Sequence, residues 1–208
     1  MTGNAVYSRY GLMMTNNEWD DYAEEWDSNA STAEYADNAF RELTQAVKLD
    51  DLRVFDFGCG TGLLAERLSP HVDKVVALDG ARKMIEQLKF KALPNVFPIA
   101  DFLTTDLIKN NALMNAKFDL VTASSVCAFL PDYEATLLLL KSLLVSGGIY
   151  VQWDWFSTDE SSEMGFTERK VSQSLNDAGF INISLTQPFT IENSNGKMPV
   201  LMVVGKSS

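Results

Sequence analysis

From about residue 50 onward the chain alternates short runs that suit a β-strand with stretches of helical spacing, and this rhythm restricts the fold more than any other property of the sequence. Strand-like runs fall at Leu52 to Phe57, Lys74 to Asp79, Val96 to Ala100, Phe118 to Ala123 and Ile149 to Trp155, with helical periods filling most of the intervals. Strands joined through helices run parallel, so the pattern predicts a parallel sheet wrapped by helices. The last third breaks the rhythm. A polar loop, Ser157 to Gly165, leads to a helix from about Thr167 to Ala178, where Gly179 supplies the residue expected just past a helix end. Two runs then follow with no helix between them, Phe180 to Pro188 and Pro199 to Gly205. A parallel crossover needs a dozen or more residues, so these two are expected to pair antiparallel and to close a mixed sheet edge.

Before residue 50 the chain reads as helices. Trp19, Tyr22, Ala23 and Trp26 follow i, i+3, i+4, i+7 spacing, and Ser31 with Glu34 makes a capping box ahead of a second helix that carries Phe40, Leu43 and Val47 on one face. Between Tyr10 and Phe40 acidic residues recur without a single lysine or arginine, interleaved with Trp19, Tyr22, Trp26 and Tyr35. That segment reads either as a solvated acidic face or as an acidic, aromatic lid over a cationic ligand. The run Leu137 to Leu144 reads as a helix buried against the sheet.

At 208 residues, 46% of them hydrophobic, the chain is sized for one domain: a helical flank or lid over residues 1–50 and an α/β core over 51–208. The formal net charge of −11 repels polyanions, which argues against nucleic acid or an anionic membrane as a partner and for a small substrate. Cys59 and Cys127 lie far apart, nothing suggests a metal-ligand cluster, and the start MTGNAVYSRYGLMMTNN lacks a secretory apolar stretch. A reducing cytoplasm is the expected compartment.

The segment VFDFGCGTG, residues 54–62, places Gly58, Gly60 and Gly62 where the first strand turns into a helix (Leu63 to Leu68, stopped by Pro70), the position at which an open α/β sheet binds its ligand. The dinucleotide fingerprint wants Gly or Ala at position 63, and Leu63 stands there; no G-K-[ST] follows, so the loop is not a P-loop. A tight turn without a ligand is the simpler alternative. Asp79 ends the second strand roughly twenty residues on, where a carboxylate can accept from both hydroxyls of a ribose. Asp101 ends the third strand in IADF, where it can accept from an adenine amino group while Phe102 meets the ring. Singly, Asp79 and Asp101 read equally well as helix caps. At successive strand tips behind a glycine-rich turn they favour a nucleoside.

These residues, together with FDLVTASSVCAFLPD, SGGIYVQW and the WDDYAEEWD lead-in, resemble the class I S-adenosylmethionine-dependent methyltransferases, in particular the small-molecule type often called type 11 or 12. The resemblance runs from about Trp19 to Val204. It implies a Rossmann-like seven-stranded sheet of order 3-2-1-4-5-7-6 with strand 7 antiparallel. It also implies S-adenosylmethionine as cofactor, S-adenosylhomocysteine as product, and a small-molecule methyl acceptor for a monomer or homodimer. Carried over by position, Asp56, Gly58, Gly60 and Gly62 would line the methionine part, Asp79 the ribose, and Asp101 with Phe102 the adenine. Tyr22 and Trp26 would close over the cofactor.

The chain departs from this family where many members carry a histidine pair before LPD: Ala128 and Phe129 stand there. The only histidine, His71, falls between the first helix and second strand and reads as a solvated loop residue. In QWDWF, Asp154 can orient or deprotonate an acceptor, with Trp153 or Trp155 walling the pocket, or it can merely cap a loop. A sulfonium is already activated, so positioning alone can supply on the order of 7–11 kcal/mol of the barrier, with a general base adding about 10²- to 10⁴-fold. Two alternatives remain: a Rossmann oxidoreductase using NAD(P), disfavoured by Leu63, and a catalytically silent S-adenosylmethionine-binding module.

Overall fold

The inner strands are buried on both faces, as parallel strands covered by helices must be. In the computed structural model, which describes residues 16–162, 164–193 and 196–208, seven strands form one sheet. They are β1 (Arg53–Phe57), β2 (Lys74–Asp79), β3 (Val96–Ala100), β4 (Phe118–Ser124), β5 (Leu144–Trp155), β6 (Phe180–Asn193) and β7 (Gly196–Ser207). The order is β3-β2-β1-β4-β5-β7-β6, with β7 antiparallel to both neighbours and the other pairings parallel. The helices are α1 (Asn16–Tyr22), α2 (Ala30–Ala46), α3 (Leu63–Leu68), α4 (Arg82–Phe90), α5 (Thr105–Asn110), α6 (Tyr133–Leu143) and α7 (Glu168–Asp177). No described helix is long and apolar enough to cross a membrane.

Strand alternation divides the interior into two cores. Val54, Val75, Ala77, Leu120, Val151 and Trp153 share one with Leu43 of α2, Leu68 of α3 and Leu88 of α4. Phe55, Val76, Val121 and Tyr150 share the other with Leu137 and Leu140 of α6 and Leu175 of α7. The expected closing hairpin is present and longer than its apolar runs suggested. Across β6 and β7 the ladder extends from Phe180 opposite Ser207 to Asn193 opposite Gly196, and register shifts absorb the interval around Pro188. β5 likewise begins at Leu144, so the helix expected over Leu137 to Leu144 ends at Leu143.

The amino-terminal segment differs from the sequence reading in two places. α1 stops at Tyr22, and turns carry the chain to Ser28, so Trp19 and Trp26 do not lie on one continuous helix. They converge nonetheless, packing with Tyr22 against Ala23, Ala81 and Met84. The cap of α2 is Asn29, whose side chain accepts from the Ser31 N–H, in place of the Ser31–Glu34 box. Asn29 has extended backbone angles and a short acceptor side chain, which is what a first turn requires.

Candidate functional site

β1 and β4 lie side by side where the direction of strand connection reverses, and a crevice opens beyond the carboxyl ends of the strands at that point. It deepens into a cavity of about 670 Å³. Its walls come from the glycine loop, the tips of β2 and β3, the turn after β4, Trp155 at the end of β5, Ile191 on β6, and the lead-in with the first turns of α2.

The three glycines answer to different neighbours. Gly58 and Gly62 have φ of 68° and 81°, and a Cβ on either would come within 2.3 Å of Val126 or Leu88. The close approach that excludes side chains there is the protein's own packing. Gly60 faces the cavity: a Cβ on it would lie 3.8 Å from Trp26 Nε1 and meet nothing nearer. Gly62 is not among the lining residues; it caps α3.

The loop turns its N–H groups inward. Gly58 and Cys59 donate to the Leu78 carbonyl at 2.8 and 3.0 Å, Gly60 donates to Asp79 Oδ2 at 2.8 Å, and Gly62 donates to the Cys59 carbonyl at 2.9 Å. A phosphate cradle needs those groups free. Asp79 also accepts from the Ala81 N–H through Oδ1 at 2.8 Å. Burial pushes its carboxyl above the usual range, against the two N–H groups that lower it. Each oxygen keeps a lone pair for a ligand hydroxyl.

Asp56 lies opposite Thr122 in the β1–β4 ladder, and the Thr122 hydroxyl donates to its Oδ1 at 2.8 Å. Oδ2 is buried without a hydrogen-bond partner. Burial, partly offset by that hydroxyl and reinforced by the charge on Asp79, raises the Asp56 carboxyl to about 7. A buried acceptor on the wall of a cavity calls for a donor from a ligand, and a cationic one best. Asp101 and Phe102 line the same cavity; Asp101 Oδ1 accepts from the Phe102 N–H at 2.8 Å, and the Phe102 ring is 58% exposed.

The lead-in closes one side. Trp19 stands edge-on to Phe129 in the turn after β4, with centroids 5.2 Å apart, and edge-on to Trp26 at 5.8 Å. Polar ties hold it down: the Thr61 hydroxyl donates to Asp27, Lys91 Nζ lies 2.8 Å from Asp27 Oδ2 and 2.9 Å from Glu66, and the Lys83 N–H donates to Asp20 at 2.7 Å. Trp26 lines the cavity, whereas Tyr22 does not. Tyr22 packs with the cluster against Ala23, Ala81 and Met84, where α1 ends and the chain turns before Trp26. Trp19 takes the cavity position, and the seven-residue interval to Trp26 was the signal for it.

Asp154 does not reach the cavity. It is 1% exposed and alternates with Trp153 and Trp155, so it points to the α6 and α7 face while the tryptophans point to the α2 face. Trp155 lines the cavity and Trp153 is wholly buried beneath it. Asp154 accepts from Gln152 Nε2 at 3.0 Å and, at 3.4 Å, from the Ala128 N–H; Gln152 Oε1 in turn accepts from Tyr133 and Tyr150. Burial raises the Asp154 carboxyl to about 7. From there Asp154 braces the Cys127–Phe129 turn, which agrees with the loop-capping alternative. His71 tilts against Phe40 at 5.4 Å, remote from the cavity-lining residues. Asn29, Ser31, Thr32 and Tyr35 of the α2 start line the cavity without having been singled out as ligand groups; only their place ahead of the sheet hinted at it.

Residues 55–150 match the family model of a methyltransferase domain. The match spans just under half of the chain, and the sheet order is that of the Rossmann-like fold of the S-adenosylmethionine-dependent methyltransferases it resembles. Among individual proteins, the chain is similar to the ubiquinone biosynthesis O-methyltransferases of Chromobacterium violaceum and Haemophilus ducreyi. The first is 31% identical over 106 residues, covering 51% of this chain and 44% of that protein. The second is 33% identical over 109 residues, covering 51% and 46%. The chain thus matches about half the length of these curated relatives. Among solved structures, the DhpI–SAH complex superposes with a TM-score of 0.69 at 20% identity, covering 93% of this chain and 95% of that one. A Haloferax volcanii putative methyltransferase, in complex with the Trm112 activator, gives 0.72 at 16% identity over 91% and 97%. At such identities the likeness concerns the fold.

Proposed function

We propose that the chain is an S-adenosylmethionine-dependent methyltransferase acting on a small molecule, and that it works by positioning. The observation that carries this reading is the pairing of an inward-turned glycine loop with the unpartnered Asp56 Oδ2 and the Asp79 carboxylate on one cavity wall. A ligand with a cationic centre and a ribose but no phosphate suits that wall. Asp79 would take the ribose hydroxyls, Asp101 and Phe102 the adenine, and Asp56 with Gly58 and Gly60 the methionine part. Trp19 and Trp26 would exclude water. When bound, the sulfonium supplies a methyl group already activated for displacement.

The chain's part is to hold the acceptor in line, which suits a wall without a histidine. We place the protein in the cytoplasm, where its two free cysteines suit a reducing environment. Calorimetric titration with S-adenosylmethionine, S-adenosylhomocysteine, NAD and NADP tests the reading. Binding of the first two and neither dinucleotide is expected; micromolar NAD binding without S-adenosylmethionine binding would overturn it.

A further inference from the structure

We infer that the acceptor is an uncharged molecule with an aromatic or similarly flat apolar body, and that carboxylated or phosphorylated analogues are rejected. This rests on the methyltransferase reading above and specifies its substrate class.

The cavity is chemically divided. Its acidic groups, Asp56, Asp79 and Asp101, stand at the tips of β1, β2 and β3. Toward β5 and β6 the walls become Tyr35, Trp155, Ile191, Phe129 and Leu130, and the Tyr35 and Trp155 rings meet edge to face at 5.3 Å. Flat apolar molecules gain from such walls through burial and ring contacts.

Anions gain nothing comparable. No lysine, arginine or histidine stands among the described residues lining the cavity. The start of α2, whose first turns line the cavity, has its first N–H groups occupied. Ser31 donates to Asn29 Oδ1, while Thr32 and Ala33 donate to the Asn29 carbonyl. The Thr32 hydroxyl is spent on the carbonyls of Trp26 and Asn29, and the Ser125 N–H on the Trp153 carbonyl. A carboxylate or phosphate entering here would lose its hydration, find no cationic side chain, and share the space with three carboxyl groups.

The test uses matched pairs that differ by one carboxylate: para-cresol against 4-hydroxybenzoate, aniline against 4-aminobenzoate, and thiophenol against 4-mercaptobenzoate. Calorimetry first establishes S-adenosylhomocysteine binding; its absence overturns the cofactor reading and this inference with it. Each pair is then titrated into the S-adenosylhomocysteine-loaded protein, and methyl transfer from S-adenosylmethionine is followed by mass spectrometry. The uncharged member is expected to be preferred at least tenfold wherever a pair is bound. Ser31→Lys should narrow that ratio by fivefold or more and Ser31→Glu should widen it. Equal or better binding of the carboxylated members, or no binding by either member of any pair to the loaded protein, overturns the inference while leaving the cofactor reading intact.

Discussion

The carboxylate of Asp79 is joined to the backbone of Gly60: Oδ2 accepts the Gly60 N–H at 2.8 Å, nineteen residues away in sequence. One side chain thereby pins the glycine loop and faces the cavity. Asp79→Ala should weaken S-adenosylhomocysteine binding by about 1.5–3 kcal/mol, the scale of hydrogen bonds to a charged group. Asp79→Asn, which can keep one acceptor for Gly60, should lose less. Calorimetry on folded variants checks this, and an unchanged dissociation constant for Asp79→Ala would remove it from the ligand site.

Asp154 gives a pH signature. Burial pushes its carboxyl up to about 7 in the folded state, against the ordinary aspartate value of about 3.9 when exposed, so between those pH values the folded state holds a proton that the unfolded state has released. Stability contributed by this group is full below pH 4 and declines as pH rises to about 7. Asp56, with the same rise, contributes in the same direction. Thermal midpoints measured from pH 5 to 8 should fall less steeply in Asp154→Asn than in the parent, while S-adenosylhomocysteine affinity stays near the parent value. Identical slopes would show that Asp154 is not the titrating group.

The ties of Asp27 to Thr61 and Lys91 hold the lead-in against the glycine loop and α4. Asp27→Ala should weaken S-adenosylhomocysteine binding by about 1 kcal/mol, combining a half-exposed ion pair with a hydroxyl bond, and should do so through faster release. Stopped-flow displacement measures that rate. Trp26 fluorescence should respond to S-adenosylhomocysteine, with Trp26→Phe subtracting the other three tryptophans. A silent Trp26 and unaltered release would make the segment a helical flank only.

Gly58→Ala should destabilise the fold by about 1–3 kcal/mol, since it combines a left-handed φ with a collision at Val126. Adding Val126→Ala should recover part of the loss, because it removes the collision and leaves the backbone strain. Chemical denaturation of the four proteins in that cycle gives the coupling directly.

The sheet was readable because β2 and β3 announce themselves by apolar runs bounded by polar ends, and both were placed to the residue. The long hairpin was readable in pairing but not in length, since Thr186 and Thr190 of β6 lie among residues whose apolar pattern is weak. The shared place of Asp56, Asp79 and Asp101 on one cavity wall was legible because the tips of neighbouring parallel strands must meet. The choice between the two readings of Asp154 was not legible, because it turns on the phase of β5: Trp155 and Asp154 are adjacent in sequence and face opposite layers. That Tyr22 stands outside the cavity lining was not legible, because helical spacing cannot show where α1 stops.

Trp19 and Ile191 wall one cavity although 172 positions separate them. At synthesis rates of about 5–20 residues per second, the second wall follows the first by roughly 10 to 30 seconds. During that interval the nascent chain can carry the glycine loop and all three strand-tip carboxylates yet lack the floor on which an acceptor would rest. Cofactor capture can therefore precede substrate capture as the chain emerges, making ligand retention by stalled chains of graded length a clock for the order in which the pocket assembles.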